Sequence, residues 1–237
     1  MSVLLYQTYI SSLDYPRMQV LMERPDLSVD RHMMLLSRRS PRNLAQSLAA
    51  TTLLATAVQD WTTGAFQHLP HPGDNPFEED EEEIAFRTLP VSTLERLPST
   101  WPVGRNGKPF PNGIETTRGR AQVSIAHSEG MVLAAVSDEP VGVDAQSLAV
   151  LPSTRWWRLD ARIRHPEEAP AENAADFARR WVAKEAVLKA TGEGLAASMT
   201  RLRVEDDRVC ADDGSVFRLW RGLYFNFAIA IAARESK

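Results

Sequence analysis

Two short stretches hold the residues best suited to chemistry. Glu185 and Lys189 stand four apart in RRWVAKEAVLKATGEGL (179–195), and Asp144 and Gln146 stand two apart in VGVDAQ (141–146). At about 100° per residue, a helix over the first stretch aligns Phe177, Trp181 and Leu188 on one stripe. Glu185 projects only about 40° from Trp181, with Lys184 on the opposite shoulder. A Glu-to-Lys pair at this spacing is also an ordinary exposed helix pair, worth a few tenths of a kcal/mol. On a strand, Val141, Val143 and Ala145 share one face while Gly142, Asp144 and Gln146 share the other, which spaces Asp144 and Gln146 about 7 Å apart. Oxygen ligands on one rigid strand, facing a glutamate from a helix, would make a hard-cation site for magnesium completed by phosphates and waters, although a strand-end aspartate taken alone is more often a turn or cap residue. Gly142, with no side chain, would admit a ligand or another backbone closely.

Other residues are weaker signals by themselves. GRNGKPF (104–110) is a Gly/Pro loop whose amides and Lys108 could meet a phosphate, or it is an ordinary turn. His127 ends the strand-like run VSIAH and reads as a turn or core histidine, or as a donor to phosphate.

The elements that must carry these residues are legible in outline. SVLLYQTYI reads as an opening strand, and SPRNLAQSLAATTLLATAVQDW as a helix with Ser40 as cap and Pro41 in its first turn. Residues 64–83, Pro/Gly-rich and then acidic, read as a long surface loop. RAQVSIAHSEGMVLAAVSDEPVGVDAQ (120–146) reads as a three-stranded meander. A helix from about Ala171 to Ala190 ends before Gly192, and the tail supplies three more strand-like runs joined at DDRV, DDGS and RGL. Strand, helix and strands thus occur in both halves, so two similar lobes are expected. The division is placed at 1–110 and 111–237.

With 237 residues the chain can bury a sizeable core, and its single cysteine, Cys210, excludes an internal disulfide framework or a cysteine-built zinc site. A net charge of −4 argues against binding driven by nucleic-acid phosphates. The most apolar helical stretch, 47–58, is too short and threonine-broken to span a membrane. A cytoplasmic protein is expected. Of 27 Lys plus Arg only four are lysine, Lys108, Lys184, Lys189 and Lys237, which suggests positions where a compact ammonium is wanted.

The order GKP, SIAHS, VGVDAQ, WVAKEAVLKATGEGL resembles the 4′-phosphopantetheinyl transferase superfamily, its long two-lobed type and Trp/Lys-Glu-Ala subgroup. The resemblance implies an α+β fold of two similar lobes, each with a small, mostly antiparallel sheet and a long packing helix, with a cleft between them. It implies transfer of the phosphopantetheine arm of coenzyme A to a serine of an acyl or peptidyl carrier protein, as a holo-[acyl-carrier-protein] synthase of fatty-acid, polyketide or nonribosomal-peptide synthesis does. Adenosine 3′,5′-bisphosphate would be released. By the same resemblance Asp144 and Glu185, joined by Gln146, hold magnesium; Glu185 is the general base and Lys189 neutralises phosphate charge. Lys108 and His127 would contact the coenzyme A phosphates, and Lys184 would add positive charge to the cleft.

Three positions depart from the pattern. Gln146 stands where a glutamate is usual, Ala126 replaces the first serine of Ser-His-Ser, and Ala55 replaces an arginine of the first lobe. The phosphate grip there falls to Arg38, Arg39 and Arg42. Gln146 and Ala126 also keep open a degenerate relative that binds coenzyme A or a synthase without transfer. Carrier proteins are typically acidic, so RWWRLDARIR (155–164), basic and aromatic, is a candidate docking stretch. A monomer is expected, each lobe supplying half of one cleft.

Overall fold

The computed structural model describes residues 2–38, 40–65, 84–104, 106–151, 155–194 and 197–235. The opening strand β1 (Val3–Tyr9) is followed by α1 (Tyr15–Met22), α2 (Val29–Leu36) and the long α3 (Pro41–Thr63). Ser40 caps α3 as expected, its hydroxyl accepting from the Asn43 amide, an interaction worth about 1 kcal/mol. Gly64 ends the helix in the left-handed conformation. The acidic loop expected at 64–83 lies, from residue 66 on, outside the described residues. Beyond it come β2 (Ile84–Thr88), β3 (Ile114–Thr116), β4 (Gly119–Ser128) and β5 (Met131–Ser137), which complete a first sheet in the order β2-β1-β5-β4-β3. Among the described residues only β1 and β2 pair in parallel.

The second sheet takes β6 (Val141–Ser147), β7 (Leu202–Val204), β8 (Arg208–Ala211), β9 (Val216–Tyr224) and β10 (Phe227–Arg234) in the order β6-β10-β9-β8-β7, antiparallel throughout. Between β6 and β7 lie α4 (Trp156–Ile163) and α5 (Ala174–Thr191). Asn173 caps α5 at its start and left-handed Gly192 ends it.

The expected meander is therefore divided. β4 and β5 form a hairpin, but β6 pairs with β10 in the other sheet. β5 is flanked by β1 and β4, so it has no free edge to offer. Three strands of the first sheet lie beyond residue 110, so the sheets do not follow the division placed there. The RGL stretch is not a turn either: Gly222 sits within β9 opposite Ile229, and the reversal comes after Tyr224.

The layers run helix, sheet, sheet, helix. Leu4 and Tyr6 of β1 face α1–α3, while Val3 and Leu5 pack against the second sheet's inner face, where Val143, Trp220, Ile229 and Ile231 lie. A strand buried on both faces has no polar side, which is why β1 reads as nearly continuous apolar sequence. The outer face of the second sheet carries Ala228, Ala230 and Ala232, and α5 packs there with Phe177, Val182, Ala186 and Leu188.

Candidate active site

The site begins with Gly142. A Cβ placed there would lie 1.8 Å from the Ala186 carbonyl oxygen and 2.6 Å from the Ala190 amide nitrogen, so only glycine lets α5 lie directly on β6. The close backbone approach foreseen for this residue is that of α5. It brings Glu185 and Lys189 over the strand face that carries Asp144 and Gln146. Two hydroxyls align the lobes at the same place: Ser124 Oγ accepts from the Val143 amide (3.1 Å) and Ser128 Oγ from the Ser147 amide (3.0 Å), which tie β4 to β6.

Lys189 Nζ donates to Asp144 Oδ1 (2.7 Å), to the Val143 carbonyl (3.0 Å) and, at 3.4 Å, to that of Ile125. Burial raises the Asp144 carboxyl while the Lys189 ammonium opposes it. Glu185 is only 8 % exposed, and its Oε1 is buried without a hydrogen-bond partner among the described residues. Burial first, then the charge of Asp144, pushes Glu185 up to about 7 against the pull of Lys189. Gln146 is half-buried; its Nε2 donates to the Ser147 carbonyl, which leaves Oε1 as a possible ligand. No cluster of three or more His, Cys, Asp or Glu occurs among the described residues. Two carboxylates and an amide oxygen nevertheless suit a magnesium ion that draws its other ligands from phosphate and water, and the unpartnered Glu185 oxygen is the donor such an ion would take up.

The 104–110 loop sits at the far end of α5. Lys108 Nζ donates to the Lys189 (2.8 Å) and Ala190 (2.7 Å) carbonyls, and Asn106 Nδ2 to those of Gly192 (3.0 Å) and Glu193 (2.7 Å). The loop thus caps the helix that carries Glu185 and Lys189. Burial lowers the Lys108 ammonium to about 8. Two of its three hydrogens are taken up by the cap, yet with Ser124, Ile125 and Lys189 it also lines a recess of about 140 Å³.

His127 is open to solvent at the end of β4 but lies in a crowded, cationic hollow; desolvation, then Lys189, Arg38 and Arg31, lower its imidazole to about 4. Sequence reasoning missed Arg31. It is 3 % exposed, its guanidinium donates to Thr51 Oγ1 and the Ser47 carbonyl (2.8 Å each), and it lies 4.3 Å over the Trp101 ring. Among the described residues no carboxylate pairs with it, and burial lowers its pKa to about 10. The signal was present: Arg31 and buried Leu35 are four apart on α2. Of the arginines expected to grip phosphate, Arg42 is engaged by Glu129 at the β4–β5 turn, Arg38 is exposed within electrostatic reach of His127, and Arg39 lies outside the described residues.

Lys184 corrects an expectation. It does not line the cleft: fully buried, its Nζ donates to the Ile163 carbonyl (2.8 Å), Glu168 Oε2 (2.8 Å) and the Met199 carbonyl (3.3 Å), so all three hydrogens are used. Glu168 also accepts from the His165 and Val204 amides, so the pair fastens the 163–168 turn and β7 to α5. Its ammonium is structural.

Residues 140–231, which hold the second sheet, α4 and α5, match the model of the 4′-phosphopantetheinyl transferase superfamily. That region is thus similar to a 4′-phosphopantetheinyl transferase superfamily domain. A Synechocystis sp. protein provisionally described as a 4′-phosphopantetheinyl transferase is 30% identical over 129 residues, 50% of this chain and 51% of that protein. The chain thus spans about half the length of the curated relative it matches. The superfamily match covers Asp144, Gln146, Glu185 and Lys189, the residues gathered where α5 crosses β6. Among the described residues no helix is long and apolar enough to cross a membrane.

Proposed function

We propose that the chain transfers the 4′-phosphopantetheine arm of coenzyme A to a serine of an acyl or peptidyl carrier protein. The observation that carries this reading is Glu185 Oε1, buried and without a partner beside the Asp144–Lys189 pair in a superfamily domain. The carrier serine Oγ bonds to the phosphorus that bears the pantetheine, the bridging P–O bond breaks, and adenosine 3′,5′-bisphosphate leaves. Glu185 takes the serine proton. Lys189, held on Asp144, would neutralise charge that grows on the transferred phosphoryl group, which favours the transition state over bound substrate. Magnesium held by Asp144, Glu185 and the Gln146 amide oxygen would offset the negative charge of the pyrophosphate. Arg38 and the carboxylate-free Arg31, both within electrostatic reach of a neutral His127, would suit the remaining coenzyme A phosphate.

The test is mass spectrometry of an apo carrier protein incubated with the enzyme, coenzyme A and magnesium. A gain of one phosphopantetheine arm is expected. An unmodified carrier with coenzyme A bound to the protein would instead establish the non-transferring relative that Gln146 and Ala126 kept open.

A further inference from the structure

Six of the eleven large apolar side chains left exposed among the described residues fall within the first 36 positions: Tyr9, Leu13, Val20, Val29, Met33 and Leu36. Three of these form a pattern. Val29, Met33 and Leu36 are 77 %, 63 % and 60 % exposed and lie at i, i+4 and i+7 of α2, so they make one continuous outward stripe. The opposite face of the helix already packs inward through Arg31 and Leu35. A helix apolar on both faces and covered on one exposes surface that a soluble protein ordinarily keeps polar.

The position of the stripe says what covers it. Its last residue, Leu36, is two positions from exposed Arg38 and six from Arg42, which pairs with Glu129 two residues beyond His127, and Arg38 acts electrostatically on that histidine. The stripe therefore runs up to the rim of the hollow beside Glu185. Arg38 is exposed just past the end of α2, so the apolar ridge ends in positive charge, while Arg31 is buried on the opposite face and Arg42 is held by Glu129. A macromolecule that delivers a hydroxyl to Glu185 has to rest beside that rim, and an acidic partner with an apolar helix face complements both features. α4, the stretch that sequence reasoning favoured, fits less well: Trp156 is packed on Phe177, Trp157 carries Arg158 over its own ring, and Arg164 lies by Asp160.

We infer that the α2 stripe Val29–Met33–Leu36, with Arg38 at its end, is the docking surface for the carrier protein. The inference rests on the transferase reading above. Its test uses the full chain with apo acyl and apo peptidyl carrier proteins, and compares wild type with Met33→Asp/Leu36→Asp and with Trp157→Asp. The expected result is a carrier KM raised tenfold or more in the double variant, with kcat, coenzyme A affinity and melting temperature unchanged, and no KM change for Trp157→Asp. An unchanged KM in the double variant, or a rise confined to Trp157→Asp, overturns the docking assignment while transfer itself stands. A wild type that binds coenzyme A but modifies neither carrier overturns the transferase reading instead, and the inference with it. A concentration-dependent dimer in sedimentation that the double variant abolishes would give the stripe to a second copy and also overturn it.

Discussion

Gly142→Ala adds a single methyl group where β6 meets α5, 1.8 Å from the Ala186 carbonyl oxygen and 2.8 Å from its carbon. Ordinary carbon–oxygen contact begins at about 3.3 Å, so helix and strand must part by roughly 1.5 Å. Neither clashing atom belongs to a flexible side chain, so no rotamer change relieves the contact. Overpacking of this kind costs about 1–3 kcal/mol, which a chain of this size can survive. The chemistry is less tolerant. Asp144 is two residues along the same strand and faces Glu185 and Lys189 across the widened gap, so the 2.7 Å Lys189–Asp144 contact stretches with it. Misplacement by about 1 Å can cost on the order of 10²-fold in rate. The expected outcome is a cooperatively folded variant, by circular dichroism and thermal melt, whose transfer rate by carrier mass spectrometry falls about 100-fold or more. A folded Gly142→Ala variant with wild-type transfer would refute the claim that this contact sets the site's geometry.

Glu185→Gln should lower transfer by about 10³-fold and leave the fold intact, because α5 packs through Phe177 and Leu188. Its stability should also depend on pH in a defined sense. Glu185 titrates near 7 when folded against an ordinary 4.5, so between these values the unfolded state binds fewer protons and wild-type stability falls as pH rises. In chelator, Glu185→Gln should match wild type near pH 4 and exceed it by up to about 3 kcal/mol at pH 8; a pH-independent difference would contradict the burial argument. Lys184→Met leaves Glu168 buried without its ammonium and should cost about 3 kcal/mol in urea denaturation, with coenzyme A affinity of the folded protein unchanged. Arg31→Met should weaken coenzyme A binding by calorimetry some 10- to 100-fold without lowering the melting temperature, since it removes a buried cation that no carboxylate balances. Gln146→Glu should tighten magnesium binding by calorimetry, and an unchanged affinity would place that side chain away from the ion.

What the sequence disclosed was set by local period. Alternation along β6 put Gly142, Asp144 and Gln146 on the face that meets α5, and the helical wheel put Glu185 near the buried stripe; both follow from backbone geometry alone. What it concealed depends on distant groups. Lys184 sits one residue from Glu185, yet the carbonyls that claim it come from Ile163 and Met199, 21 and 15 positions away. Lys108 read as a phosphate donor because nothing nearby shows that its loop closes the end of a helix some 80 residues on. The path of β6 was hidden for a topological reason, since which strand edges remain open is decided only after β1 has paired with β5. Arg31 was the recoverable omission: an arginine one turn before a buried leucine, on a helix whose cap Ser28 announces it.

The stretch that matches the superfamily is not a self-sufficient folding unit. Val141, Val143, Ile229 and Ile231 turn one whole side of its sheet toward Leu5, Leu133 and Ala135 of the other lobe, not toward water. Kinship can therefore be recognised in one stretch of the molecule, but that stretch buries its inner face only against the rest, and substitutions on either inner face constrain what the other can accept.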